Sequence, residues 1–288
     1  MPCFDRAERL ILRLGYLGLV LPPSGVFTKL SMLDLAYVQF PGACDIGDAF
    51  SSARCPSLRQ LRLVDTQGVS NLAICSESLL RLWLQTVKGL QQLTVVSPML
   101  IELSIFYCFF ERQPVVDIVA PVMEMIKWID RYDPISVQLG QMAHLQRPAT
   151  LCFELPDHQY NWGSLMLLQC FQKIPDLYIS ICDPHEQCAC SPGCVCHQPQ
   201  DWKTEELCLN SLEELDICGF SVADCDFAFV KRLLGWTPVL KTVTINFDPS
   251  ATLDEDLCKE LLALSGPDTC MKIYLYCDGT KVMYTPVG

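Results

Sequence analysis

Cys55-Pro56-Ser57-Leu58-Arg59-Gln60-Leu61-Arg62-Leu63 has the form Leu-x-x-Leu-x-Leu. The same form returns at Leu79-Leu80-Arg81-Leu82-Trp83-Leu84 and at Leu100-Ile101-Glu102-Leu103-Ser104-Ile105. The middle leucines, Leu61, Leu82 and Leu103, stand 21 residues apart. An earlier copy, Leu30-Ser31-Met32-Leu33-Asp34-Leu35, precedes them by 28. Looser copies follow in the pairs Ile126 and Trp128, Leu177 and Ile179, Leu215 and Ile217, Val243 and Ile245, and Ile273 and Leu275.

Strand side chains alternate between faces, so each pair, such as Leu61 and Leu63, points to one side while the leading leucine packs beneath it. No single copy can bury such a face, so neighbouring copies must stack. A second apolar run, Leu93-Thr94-Val95-Val96, supplies a return arm. The expected fold class is α/β: an irregular leucine-rich-repeat solenoid with a curved, mainly parallel sheet. The rhythm fades between Asp130 and Ile174, where Ser164 to Lys173 reads as a helix followed by a strand at Leu177 to Ile181. From Leu212 the pattern becomes strand, helix, strand, helix, strand. Phe227, Val230 and Leu234, with Phe229 and Leu233 beside them, fall at helical spacing over Asp224 to Gly235. Thr252-Leu253-Asp254-Glu255 matches a capping box ahead of Leu257, Leu261 and Leu262. Asp278-Gly279 is the two-residue turn of a hairpin from Tyr274 to Val282.

The 288 residues are 50% hydrophobic and 19% charged, enough to bury a large core and too apolar for disorder over most of the length. The net charge of −12 repels a phosphate backbone, and no run of Lys or Arg offsets it, so no nucleic-acid partner is expected. Eighteen cysteines could suggest secretion, but the chain needs no staples and its first nine residues are too charged for a signal peptide. Cys75, Cys108, Cys152 and Cys170 sit singly in apolar runs, as small hydrophobes do. The expected setting is intracellular, cytoplasmic or nuclear. Leu14 to Thr28, interrupted by Pro22 and Pro23, is too short for a membrane span.

The segment from Leu212 to Phe247 resembles the FBD region of plant F-box/leucine-rich-repeat proteins. The likeness lies in Gly219-Phe220 at a strand end, Phe229-Val230-Lys231 with Leu233-Leu234 on a helix, and Leu240-Lys241 through Ile245 on the next strand. Asn161 to Gln169, Ala143 to Arg147 and Asp201 to Leu207 are similar to grass members, as are the repeats from Leu30 to Trp128. The resemblance implies an irregular repeat domain over 1–182, a Cys-rich loop over 183–203 and an FBD-like region over 204–288 that continues the solenoid. It further implies the substrate-recognition half of a ubiquitin-ligase receptor, with no enzymatic activity and no cofactor. The family's N-terminal F-box, which docks on a Skp-type adaptor, is missing from this sequence. Adaptor binding is therefore expected only if an F-box is present elsewhere in the full gene product.

The rival reading rests on His185 to Pro199, where Cys188, Cys190, Cys194, Cys196, His185 and His197 crowd fifteen positions. A metal-binding or redox protein could use them, with Cys188, Cys190, Cys194, Cys196 and His197 as ligands. Zinc pairs are usually spaced Cys-x₂₋₄-Cys, and one intervening residue sends side chains to opposite faces, so a thiol-rich loop is the expected reading. No Gly-x-Ser-x-Gly, Walker loop, HExxH or Gly-x-Gly-x-x-Gly occurs. Neither Asp157-His158 nor the adjacent pairs Glu205-Glu206 and Glu213-Glu214 forms a catalytic arrangement.

If Leu61 and Leu63 point inward, Arg62 points out, onto the concave sheet where solenoids hold partners. The same phase places Asp34, Trp83, Ser104, Lys127, Tyr178, Asp216, Thr244 and Tyr274 there, with Phe106 one pleat on. Arg62, Trp83, Phe106, Lys127, Tyr178, Asp216 and Tyr274 are the candidate contacts to a protein partner whose identity the sequence does not give. Trp83 at such a position is expected to bury little, so Trp83→Ala should cost folding only about 0.5 kcal/mol.

Overall fold

The computed structural model describes residues 6–21, 25–109, 114–130, 132–133, 135–140, 145, 149–154, 166–169, 171, 173–182, 207–221, 224–251, 255–277 and 280–285. They form an α/β fold with mostly parallel strands and few helices. The chain divides into two compact units, Met1–Leu145 and Gln146–Gly288.

The first unit contains β1 (Arg9–Gly18), β2 (Met32–Asp45), β3 (Gln60–Cys75), β4 (Arg81–Lys88), β5 (Gln92–Val96), β6 (Glu102–Phe106), β7 (Val115–Val119), β8 (Met125–Ile129) and β9 (Val137–Gln138). Strands β1, β2, β3, β4, β6 and β8 pair in that order, all parallel. The long strand β3 joins two ladders. Up to Gln67 it pairs with β4, and from Asn71 it pairs with β5, which continues to β7 and β9. On its other side β2 pairs with it from Gln60 to Asn71, with a register shift after Gln67. The expected return arm at Leu93 to Val96 is thus itself a strand in a second parallel ladder.

The register matches the leucine spacing. Leu33, Leu61, Leu82, Leu103 and Ile126 align across β2, β3, β4, β6 and β8, and so do Leu35, Leu63, Leu84, Ile105 and Trp128. None of these ten is more than 4% exposed. The leading leucines Leu30, Leu58, Leu79 and Leu100 are equally buried. Each fully buried aliphatic side chain contributes about 1.5–3 kcal/mol, so stacking of the copies is the main stabilising term.

Within β1, β2, β3 and β4, and just after β6, the chain turns a left-handed corner. Tyr16, Tyr37, Asp65, Thr86 and Tyr107 have φ between 46° and 66° and recur with the repeat. A non-glycine residue there costs roughly 1–2 kcal/mol, which persists because the two ladders on either side fix the bend. After β8 the equivalent position is Asp130, which is buried. Its carboxylate accepts the backbone N–H groups of Cys108 and Phe109 from the copy before. Burial, and secondarily the Asp130 charge, pushes the Cys108 thiol far up.

The second unit contains β10 (Ala149–Glu154), β11 (Asp176–Cys182), β12 (Glu214–Phe220), β13 (Thr242–Phe247) and β14 (Cys270–Cys277), parallel in that order. Strand β15 (Thr280–Met283) runs antiparallel to β14 with Cys277 opposite Thr280, as the expected hairpin requires, while the turn residues Asp278 and Gly279 lie outside the described residues. Helices α1 (Asp224–Gly235) and α2 (Glu255–Ala263) follow β12 and β13, giving the alternation expected from Leu212 onward. The core stripe of α1 is Asp226, Phe229, Val230 and Leu233, whereas Phe227 and Leu234 are only partly covered. The stripe is rotated from the expected one because Asp226 turns inward to accept the Ser221 N–H and hydroxyl at 2.7 and 2.8 Å. On α2 the buried pair is Cys258 and Leu261. Of the helix expected at Ser164 to Lys173, one helical turn at 166–169 is described. The capping residues Thr252 to Asp254 and the loop 183–203 lie outside the described residues.

Gly219, in β12, has φ of 80°, and a Cβ there would lie 2.2 Å from the carbonyl oxygen of Ile181. Only glycine fits. The bend carries Phe220 inward, where it is fully buried against Phe247 at 5.0 Å between ring centroids.

Candidate functional site

With the apolar pairs inward, Asp34, Arg62, Trp83, Ser104 and Lys127 align across β2, β3, β4, β6 and β8 as a single outward row. Phe106 stands one pleat on, in register with Gln85. This alignment follows the repeat phase.

Their environment differs from a solvated sheet. The Arg62 guanidinium lies 5.3 Å from the Trp83 ring centroid, and the Lys127 ammonium approaches the same ring at 5.8 Å. Phe106 stacks on the indole with centroids 4.8 Å apart, and the indole N–H donates to Gln85 Oε1 at 3.2 Å. Ion pairs hold both cations: Arg62 with Asp34 at 3.6 Å and Lys127 with Glu102 at 3.3 Å. Arg81 reaches the other oxygen of Glu102 at 3.4 Å. Trp83 is therefore half-buried, which corrects the expectation that it buries little. Two further members of the row, Asp34 (3% exposed) and Ser104 (0%), are buried rather than solvent-facing. Alternation fixes the face of a residue, whereas its exposure depends on whether longer neighbours such as Arg62, Trp83 and Lys127 lean over it. Asp34 Oδ1, Arg62 Nε and Ser104 Oγ are covered without a hydrogen-bond partner among the described residues.

In the second unit Tyr178, Asp216 and Thr244 align as expected, but the next residue in the row is Lys272. Tyr274 aligns with Asn246, one pleat on, which corrects its predicted register while leaving it on the predicted face. Asn246 Nδ2 donates to Asp216 Oδ1 at 2.6 Å and contacts the Cys218 sulfur at 3.2 Å. Lys281 lies 4.6 Å from the Tyr274 ring centroid. Burial pushes the Asp216 carboxyl up, against the opposing pull of Asn246 and Lys281. Burial also pushes the Cys218 thiol up, the reverse of what a thiolate nucleophile needs.

Sequence reasoning missed three contributors. Arg81 and Glu102 frame the tryptophan site from the preceding row. Asn246 and Cys218 complete the Asp216 cluster. Strand β1 adds Arg9, Ile11 and Arg13 to the outward rows, opposite Met32, Asp34 and Ala36. The alternation of Arg9-Leu10-Ile11-Leu12-Arg13 was a usable signal, masked by three consecutive apolar residues.

Among the described residues no group of three or more His, Cys, Asp or Glu is placed to hold a metal ion. Cys188, Cys190, Cys194, Cys196 and all four histidines, including His185 and His197, lie outside them. No helix among the described residues is long and apolar enough to cross a membrane. Comparison with known proteins finds no matching family model, no matching curated protein and no matching solved structure.

Proposed function

We propose that the chain is a non-enzymatic protein-interaction module, a leucine-rich-repeat solenoid that holds a protein partner on the outward rows of its parallel strands. The observation that carries this reading is Trp83, half-open between Arg62 and Lys127 and stacked on Phe106. Trp and Arg dominate binding energy at interfaces because they offer large contact area together with a polar edge. Ion pairs and ring contacts fix these side chains before a partner arrives, so less side-chain entropy is lost on binding. The strand-helix-strand-helix-strand order after Leu212 supports the likeness to the FBD region. On that likeness, the role proposed is the substrate-recognition half of a plant F-box/leucine-rich-repeat ubiquitin-ligase receptor.

The test places a photo-cross-linking residue at Gln85, beside Trp83, or at Gln92, on the outer side of β5. The partner should be captured from position 85 and not from position 92. With the captured protein in hand, Trp83→Ala combined with Arg62→Ala should weaken binding by roughly 2 kcal/mol or more. Because Trp83 is stacked, its loss should also cost folding about 1–2 kcal/mol, more than the usual surface change. Capture from 92 alone, or an unchanged Kd in the double variant, would overturn the reading.

A further inference from the structure

The outward rows of the first unit have a charge opposite to that of the chain. Across β1, β2, β3, β4, β6 and β8 the three aligned rows contain Arg9, Arg13, Arg62, Arg81 and Lys127 against Asp34 and Glu102. Five cations thus face two carboxylates in a protein whose net charge is −12. The excess is uneven. Arg62, Arg81 and Lys127 are paired around Trp83, whereas Arg9 and Arg13 are exposed and have no ion pair among the described residues. Between these two arginines stands Ile11, 48% exposed.

We infer that the partner bound by this face presents an acidic peptide segment: an apolar or aromatic anchor against Trp83 and Phe106, and carboxylates that meet Arg9 and Arg13. The inference rests on the proposed interaction function and adds the chemistry of its ligand. Strands lie about 4.8 Å apart, so β4 and β1, separated by β3 and β2, are about 14 Å apart. An extended peptide crossing the strands advances about 3.4 Å per residue, which puts the carboxylates about four residues from the anchor. The whole face, six strands wide, spans about 24 Å and takes a segment of about seven residues. A peptide is favoured over nucleic acid because a chain this acidic repels a continuous phosphate backbone beyond the edges of the face.

The test is selection of random heptapeptides by display on the full chain, followed by fluorescence anisotropy with the labelled consensus peptide. The expected pool is enriched in Asp and Glu around a Trp, Phe, Tyr or Leu. Affinity for the consensus should fall about tenfold in Arg9→Glu/Arg13→Glu and at least as much in Trp83→Ala. Arg9 and Arg13 are exposed, so the charge-reversed chain should keep its melting temperature. A neutral or basic consensus that still depends on Trp83 overturns this inference and leaves the interaction function standing. An empty selection also counts against it. Peptides indifferent to Trp83→Ala overturn both. A labelled twenty-residue oligo(dT) that binds more tightly than the acidic consensus overturns the peptide assignment in favour of nucleic acid.

Discussion

Asp216 shows at the scale of one residue how the outward rows are built. Its partners are Asn246 and, more distantly, Lys281, yet burial dominates and the folded carboxyl holds its proton more tightly than an unfolded one. A raised carboxyl pKa contributes stability that is fully present below the ordinary value of 3.8 and is lost as pH rises through the folded value. Asp216→Asn keeps an oxygen for Asn246 and removes the charge. Urea unfolding of the full chain from pH 3 to 7 should therefore show the variant gaining stability relative to the natural protein as pH rises, with no difference at the acid end. A variant that is less stable at pH 7 would mean that the carboxylate is satisfied as an ion. Thr86 illustrates a different single-residue cost. A β-branched side chain at φ of 51° is strained, and it is held there inside β4 by the pairing of Gln85 and Val87 with β3 on either side of it.

At the scale of elements, the strand-to-helix junction after β12 turns on Gly219. Alanine there meets both the positive φ and the Ile181 carbonyl, a backbone atom that cannot swing aside. Gly219→Ala should cost about 3 kcal/mol or more, read as a lower urea midpoint, because the bend that seats Phe220 on Phe247 is lost. A change below about 0.5 kcal/mol would show that β12 can shift away from β11 at little cost. The junction was legible as Gly219-Phe220, and most strands were legible too, because a leucine pair every 21 residues admits only one register for β3, β4 and β6. Strand β14 was less legible. Met271, Ile273 and Leu275 are three alternating apolar residues, and the pattern does not say which two align with Val243 and Ile245. The face came out right and the register one pleat off. In the site, residue types gave the row, but the burial of Asp34 and Ser104 was hidden because it depends on side chains from neighbouring strands. The framing ion pairs of Glu102 were hidden for the same reason, since they join β4, β6 and β8.

At the scale of the whole molecule, the outward rows of the first unit form a small positive field on a negative body, and the two act over different distances. An acidic peptide seated on the face meets Arg9, Arg13, Arg62 and Lys127 directly, whereas the net charge of −12 belongs to the chain as a whole. At about 0.01 M salt the screening length is about 30 Å, so the peptide feels the whole body and is repelled. At about 0.15 M it is about 8 Å, and distant repulsion is removed before close attraction. Near 1 M, about 3 Å, both are gone and only the apolar contact with Trp83 and Phe106 remains. Affinity for the acidic consensus peptide should therefore rise from low to physiological salt and fall again toward 1 M. A uniformly basic groove would lose affinity at every step. Anisotropy titrations at five salt concentrations distinguish the two curves. A monotonic fall would show that the local field dominates at all distances, and a flat line would show that charge has no part in recognition.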